Sequence, residues 1–386
     1  MENEAIDFDF NSIRPFYDYE VPAAIGRLLE QPAFHTALKF IFPEVPAEQM
    51  HQMLKQINSV GDFQEKIISQ ALSKIIDGTT EGISLGGIEI LNKNNAHLFI
   101  SNHRDIVLDS AFLNYQLFLN NFPTTRIAIG SNLLQKPWIE DLVKLNKNFI
   151  VHRDVQSRLA YIYSMRLSRF IGHSLLNENI SVWIAQKEGR SKEGKDRTHA
   201  GLIKMFGMAS DWEDPAELYN SLRISPVSIS YETEPCGGYK AREMYIRKNE
   251  GKYQKQEGED LQSMKAGISG SKGRVHFEFS APLDLIDIKK CFDGFSKNDA
   301  MKNLANLIDR FVLSNYKLFP ANYIAYFLKT GDARFNDHFN KSELSEFEEM
   351  IEFELVGFEF DSELIKPHLL NIYANPVVSK IEFGII

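Results

Sequence analysis

Five short apolar runs, separated by stretches of helical periodicity, constrain this 386-residue chain more than any other feature. They are AHLFISN from Ala96, TRIAIGS from Thr125, NFIVHR from Asn148, ISVWIAQ from Ile180 and ISPVSISYE from Ile224. Each is too short for a stable helix, rich in β-branched or aromatic residues, and bounded by polar turns, so each reads as a strand. Between them SAFLNYQLFLNNF, PWIEDLVKLN, a long stretch from Gln156 to about Leu176 and THAGLIKMFGMAS carry helical spacing. Strands alternating with helices over about 90–285 define one α/β unit, with RVHFEFSAPLDL from Arg274 as its last strand. Flanking it, AAIGRLLE and FQEKIISQALSKII are helical before residue 80, and NLANLIDRFVLSNYKLF and ELSEFEEMIEFELVGFEF after 297. Three regions follow: a helical 1–84, an α/β 85–290 and a helical 291–386. No internal repeat and no low-complexity linker sharpens those edges.

Composition narrows the function. A 44% hydrophobic fraction supports a sizeable core, and 52 acidic against 43 basic side chains give a net charge of -9, a poor balance for binding nucleic acid. The two cysteines form no metal or disulfide pattern, which fits a reducing cytosol. No run of about 18 apolar residues predicts a membrane span. The start, MENEAIDFDFNSIRPF, lacks the cationic and apolar blocks of a signal peptide. The expected place is the cytosol, free or resting on a membrane surface.

Candidate chemistry concentrates in FISNHRDIVLDSAF, Phe99 to Phe112. His-Arg-Asp there, and again at His152-Arg153-Asp154, suggests a protein-kinase catalytic loop. The glycine-rich loop, strand lysine and Asp-Phe-Gly that a kinase needs are absent from the sequence. The stretch carries His103 at the end of an apolar run and Asp109 near the start of the next helix. A carboxylate bonded to one imidazole nitrogen fixes the tautomer and raises the basicity of the other, which can then take a proton from a hydroxyl. Asn102 helps shape the turn. The bland alternative is a loop histidine with Asp109 or Asp105 merely capping the helix. A second element, WIAQKEGRSKEGKDRTHAG, gathers Lys187, Arg190, Lys192, Lys195, Arg197 and Lys204 in an otherwise acidic chain. Arginine forks suit phosphate oxygens; a solvated loop of mixed charge is the alternative.

Taken in order, SNHRDIVLD, NFIVHR, KEGRSKEGK and RISPVSISYE resemble the four motif blocks of the glycerolipid acyltransferases, over roughly residues 85–285. Each of the first three blocks departs from the family pattern. Five residues separate His103 from Asp109 instead of four, so one of 104–107 is an insertion and Asp105 remains a rival partner. Asn146 stands for a glycine, and Arg153 lies one place late, with His152 at the expected position. Lys187 replaces a proline, and one residue between Gly189 and Arg190 is missing.

The resemblance implies a mixed sheet flanked by helices, with helical N- and C-terminal regions. It also implies transfer of a fatty acyl group from a thioester, on coenzyme A or acyl carrier protein, to a hydroxyl of glycerol-3-phosphate or its 1-acyl derivative, in phospholipid synthesis. No metal or other cofactor is expected, since the thioester is already activated. His103 would be the general base and Asp109 its orienter. Glu188, Gly189, Arg190 and Ser191, with Arg153 and His152, would form the acceptor site, the two arginines holding its phosphate. Lys192, Lys195 and Arg197 would extend that field or meet the acidic carrier or coenzyme A. Pro226 would shape the pocket wall. A peripheral position on the inner face of the cell membrane is expected from lipid-soluble substrates. Acylation of another lipid hydroxyl or amine, or a non-catalytic lipid- or carrier-binding role, are the alternatives.

Overall fold

A computed structural model describes residues 9–153, 156–210, 212–256, 258–357 and 362–386. Asp154, the last residue of the second His-Arg-Asp, and the first residues of the acidic N-terminus lie outside them, as do residues 358–360 of the Phe-rich segment. The centre is one seven-stranded sheet: β1 Ile83–Gly86, β2 Leu98–Ser101, β3 Arg126–Gly130, β4 Asn148–Val151, β5 Val182–Ala185, β6 Ile224–Tyr231 and β7 Val275–Phe279. Their spatial order is β1-β7-β6-β2-β5-β3-β4. Strands β6, β2, β5, β3 and β4 run parallel, whereas β7 pairs antiparallel with β6 and parallel with β1. The α/β architecture with a mixed sheet and helical flanks is therefore as the sequence leads one to expect.

Parallel strands buried on both faces need apolar residues on both, and β2 shows the division. Leu98 and Ile100 enter one core with Ile184, Phe170, Ile203 and Ile308; Phe99 enters the other with Phe112, Trp183, Ile229 and Phe277. The first core is closed by the helices Ser157–Gly172, Ala200–Phe206, Leu285–Phe292 and Lys297–Asn315. The second is closed chiefly by Leu108–Leu119 and Ser69–Thr79. The helices between 285 and 315 thus share the sheet's core, whereas those from Pro320 on form a further cluster around Ile351, Leu369 and Tyr373 that also takes in Ala241.

At the other end, helices Val21–Leu29, Pro32–Ile41 and Ala47–Lys55 bury Ile25, Leu28, Phe34 and Leu54 against one another. They reach the α/β unit through Leu145 and through Arg27, whose guanidinium grips Asp141 at 2.6 and 2.8 Å. The expected long helix after Gln156 is Ser157–Gly172, followed by a π-helical turn His173–Asn177. Two helices not read from the sequence, Gly237–Glu250 and Glu259–Ser269, connect β6 to β7.

Candidate active site

The three central strands β6, β2 and β5 end side by side, and the chain leaving β2 carries Asn102 and His103 into the crevice beyond them, where open α/β sheets present their ligands. Asn102 is a latch. Its amide nitrogen donates to the Ile229 carbonyl and its oxygen accepts from the Ile229 N–H, both at 2.8 Å, tying the turn to β6. His103 Nδ1 lies 2.7 Å from Asp109 Oδ2, with its ring edge-on to Trp183 at 5.7 Å. The same carboxylate oxygen accepts the N–H groups of Arg104 at 2.6 Å and Asp105 at 3.0 Å. Its other oxygen accepts the Tyr231 hydroxyl at 2.8 Å. Burial pushes the Asp109 carboxyl up, but the hydrogen bond and charge of His103, the Arg104 N–H and the Tyr231 hydroxyl outweigh it and hold it below its ordinary value.

Asp105, the rival partner, does something else. Its Oδ1 accepts the N–H groups of Val107 and Leu108, both at 2.8 Å, capping the helix Leu108–Leu119. Its Oδ2 is buried without a partner among the described residues, facing Gly267, where an added Cβ would lie 2.1 Å away. Burial and the Asp109 charge push its carboxyl up.

The basic loop after β5 is built against this turn. The Ser191 N–H donates to the carbonyl of His103 itself at 2.8 Å, and the Ser191 hydroxyl bonds the Lys195 carbonyl at 3.1 Å. Gly189 turns the chain in the left-handed region, at φ 72°. Arg190 is buried, and its Nη1 has no partner among the described residues. Arg153, from the end of β4, crosses to Glu188 at 2.5 Å; Gly130 leaves room for it, since a Cβ there would stand 2.5 Å from the Arg153 Nε. Several other cations of the loop are engaged: Lys187 with the Lys195 carbonyl at 3.2 Å, Lys192 with Glu243 at 2.5 Å, Arg197 with Glu382 at 3.0 Å. Burial, with the Arg190 charge, brings the Lys192 ammonium down to about 8.

Two expected site residues stand apart. His152 stacks on Tyr163 at 4.2 Å, at the edge of the sheet, three strands from His103. Burial and the Arg166 charge lower its pKa. Pro226 sits inside β6 opposite Ile100, set back from the strand ends that carry His103.

Beneath the turn lies a polar cluster that sequence reasoning did not reach. Arg104, fully buried, pairs with Asp196 at 2.5 Å and Glu234 at 3.2 Å, and faces the Tyr316 ring at 5.4 Å. Lys240, equally buried, donates to Glu234 at 2.5 Å and to the Arg104 carbonyl at 2.7 Å. The Glu234 N–H in turn donates to the Tyr373 hydroxyl at 2.9 Å. Buried charges persist only when paired and hydrogen-bonded, so this cluster pins the turn that carries His103, the basic loop and the C-terminal helix Ser362–Glu382 together. That helix also holds the loop directly. Asn375 Nδ2 donates to the Glu193 carbonyl at 2.5 Å, and Gly194 packs so closely that a Cβ would lie 2.2 Å from the Ile372 carbonyl oxygen.

The arrangement offers one imidazole oriented by a buried carboxylate, beside a loop rich in N–H and guanidinium donors. Comparison with known proteins gives three findings. No curated protein sequence matches the chain. Among solved structures, the crystal structure of the 1-acyl-sn-glycerophosphate (LPA) acyltransferase PlsC from Thermotoga maritima aligns at 12% identity and a TM-score of 0.33, covering 76% of this chain and 93% of that one. The family model described as Acyltransferase matches residues 82–230, the span that runs from the first strand through β6 and includes His103, Asp109 and the basic loop. With this span the chain carries a domain of the acyltransferase family.

Proposed function

We propose that the chain transfers a fatty acyl group from a thioester, on coenzyme A or acyl carrier protein, to a hydroxyl of glycerol-3-phosphate or 1-acylglycerol-3-phosphate. The observation that carries this reading is the Asp109–His103 couple with Ser191 of the basic loop bonded to the His103 carbonyl. One contact network thus binds the candidate base to the candidate acceptor loop. Because the carboxylate accepts at Nδ1, Nε2 is the ring nitrogen left to act as base. The acceptor hydroxyl loses its proton to Nε2 as its oxygen attacks the thioester carbonyl carbon. Asp109 stabilises the imidazolium that forms. The tetrahedral intermediate then expels the thiolate, which takes the proton from Nε2, leaving an ester and a free thiol. No covalent acyl-enzyme and no metal enter this scheme.

Arg153 and Arg190 are the groups assigned to the acceptor phosphate. Arg153 approaches from β4 and Arg190 from the loop, its Nη1 without a partner among the described residues. A second reading, an acceptor hydroxyl or amine without a phosphate, is favoured by the Arg153–Glu188 pair, which already occupies one of the two guanidinium groups. Purified protein incubated with labelled glycerol-3-phosphate, lysophosphatidic acid and non-phosphorylated lipid acceptors, each with acyl-CoA and acyl carrier protein thioesters, separates them. His103→Ala should reduce transfer by about two to four orders of magnitude with the fold intact. Near-normal turnover in that folded variant would remove His103 from the mechanism.

A further inference from the structure

The two backbone N–H groups that hold Asp109 Oδ2, those of Arg104 at 2.6 Å and Asp105 at 3.0 Å, sit in consecutive peptides. Each peptide is a planar unit whose carbonyl belongs to the residue before. Both carbonyls are gripped as well. The His103 carbonyl, in the peptide of the Arg104 N–H, accepts the Ser191 N–H at 2.8 Å. The Arg104 carbonyl, in the peptide of the Asp105 N–H, accepts Lys240 Nζ at 2.7 Å. Lys240 stands on the helix Gly237–Glu250, is 1% exposed, and shares its ammonium between that carbonyl and Glu234 Oε1 at 2.5 Å.

A charge at one end of a peptide changes the other end. An ammonium on the carbonyl oxygen draws electron density through the amide resonance and makes the N–H a stronger donor. The neutral Ser191 N–H does this less. We propose that Lys240 is a positioning residue for the His103–Asp109 couple, acting through the Arg104–Asp105 peptide to orient the Asp105 N–H and to draw charge from Asp109 Oδ2. That His103 serves as a base rests on the acyltransferase reading above; the clamp itself does not. Without the ammonium, more negative charge stays on Oδ2 and a nearby cation is gone. Both changes favour the imidazolium, so the titration of His103 moves to higher pH. The other ionisable groups that act on the couple or its clamp are Arg104, Asp105, Tyr231 and Glu234, with Asp196 and Tyr316 against Arg104. On the loop side stand Arg190, Lys192 and Cys236. Lys240→Met leaves all of these side chains in place.

The test is nuclear magnetic resonance on the full-length chain. With nitrogen-15 histidine, the His103 ring is followed across pH, its signals identified by their loss in His103→Ala. In Lys240→Met the midpoint should rise by about one pH unit, the effect of a unit charge removed from about 8–10 Å away. The double variant Lys240→Met, Glu234→Gln removes the buried pair together and keeps the net charge. There a rise of about 0.1–0.6 pH unit should remain, from the lost polarisation of the peptide. Labelling arginine at its carbonyl carbon and aspartate at nitrogen selects the chain's two Arg-Asp peptides, at Asp105 and Asp154. The signal that survives in Arg153→Lys is that of Asp105. Its amide proton should lie at low field in the parent chain and move upfield in both variants. A folded double variant in which the Asp105 proton and the His103 midpoint are unmoved overturns the proposal. So does an Asp105 proton at an ordinary position in the parent chain, a result that needs no variant to fold. In turnover, the acid limb of kcat/KM should move with the midpoint; slower transfer with an unmoved limb would leave Lys240 a merely structural role. A midpoint that moves in a chain acylating no acceptor supports the clamp and defeats only the functional reading.

Discussion

Replacing Asp109 with asparagine separates the two tasks of the carboxylate, orientation and charge. Where an aspartate orients a catalytic imidazole, the amide can turn its NH2 toward the ring and impose the wrong tautomer, a loss near 10⁴ in a serine protease. Here the geometry forbids that turn. The Oδ2 position faces three donors, His103 Nδ1 at 2.7 Å and the N–H groups of Arg104 and Asp105 at 2.6 and 3.0 Å. An NH2 placed there would meet two backbone N–H groups head-on. The amide nitrogen must instead face Tyr231, whose hydroxyl can rotate to accept. The imidazole then keeps its tautomer and loses only the stabilisation of its cation. A charge-assisted hydrogen bond is worth about 1.5–3 kcal/mol, so kcat should fall about 10- to 150-fold, with the Michaelis constants for both substrates little changed. Single-turnover transfer from a radiolabelled thioester measures this directly. A loss near 10⁴ in a folded variant would refute the argument, because it would mean that the two N–H groups do not dictate the amide's orientation.

Arg153→Ala and Arg190→Ala should each raise the Michaelis constant for a phosphorylated acceptor about ten- to a hundredfold and leave that for the thioester unaltered; Arg190→Lys should recover part of the loss, and steady-state titration of each substrate checks the split. Gly267→Ala would force a Cβ to within 2.1 Å of Asp105 Oδ2. We expect a loss of about 1–3 kcal/mol in denaturant unfolding, and activity falling with it as the cap of Leu108–Leu119 shifts; full stability would show that Asp105 is free to move. Glu354 is pushed up to about 7 by burial, against the Tyr373 hydroxyl that bonds it. A carboxyl raised in the folded state binds more protons folded than unfolded between about 4.5 and 7, so stability falls as pH rises through that window. Glu354→Gln should therefore raise the melting temperature at pH 8, do little at pH 4.5, and flatten the profile between. A variant curve parallel to the parent's would dismiss Glu354 as the source.

Strands β2, β4, β5 and β6 were legible because nearly every residue of each is buried, and burial on both faces leaves a short apolar run bounded by polar turns. The order of those strands was not. The antiparallel entry of β7 between β6 and β1 brings residues near 83, 227 and 275 together, and nothing local records such distant pairings. At the candidate site the six-residue step from His103 to Asp109 was visible, because a turn entering a helix keeps both residues in local reach. The competing Asp105 was separable only in three dimensions, where its Oδ1 is already spent on Val107 and Leu108. Tyr231 reads in sequence as an ordinary strand aromatic; its bond to Asp109 spans 122 positions. The same is true of Arg104, which looks like a surface charge in a polar turn until Asp196 and Glu234 close on it. The basic loop looked like a free cationic arm because the carboxylates that engage Lys192 and Arg197 lie far along the chain, at Glu243 and Glu382.

The support of the basic loop by the last helix has a consequence for how the protein is made. His103 emerges from a ribosome long before Tyr373 and Asn375, which brace Glu234 and Glu193. While those partners are still unsynthesised, the charges of Arg104, Asp196, Glu234 and Lys240 gain no cover from the C-terminal helix, and Gly194 has no carbonyl to rest against. A nascent chain can lay down its strands in order, yet the turn that carries His103 acquires its full set of restraints only when the final helix docks. Partial translation products thus lack the restraints that the final helix gives to the turn carrying His103.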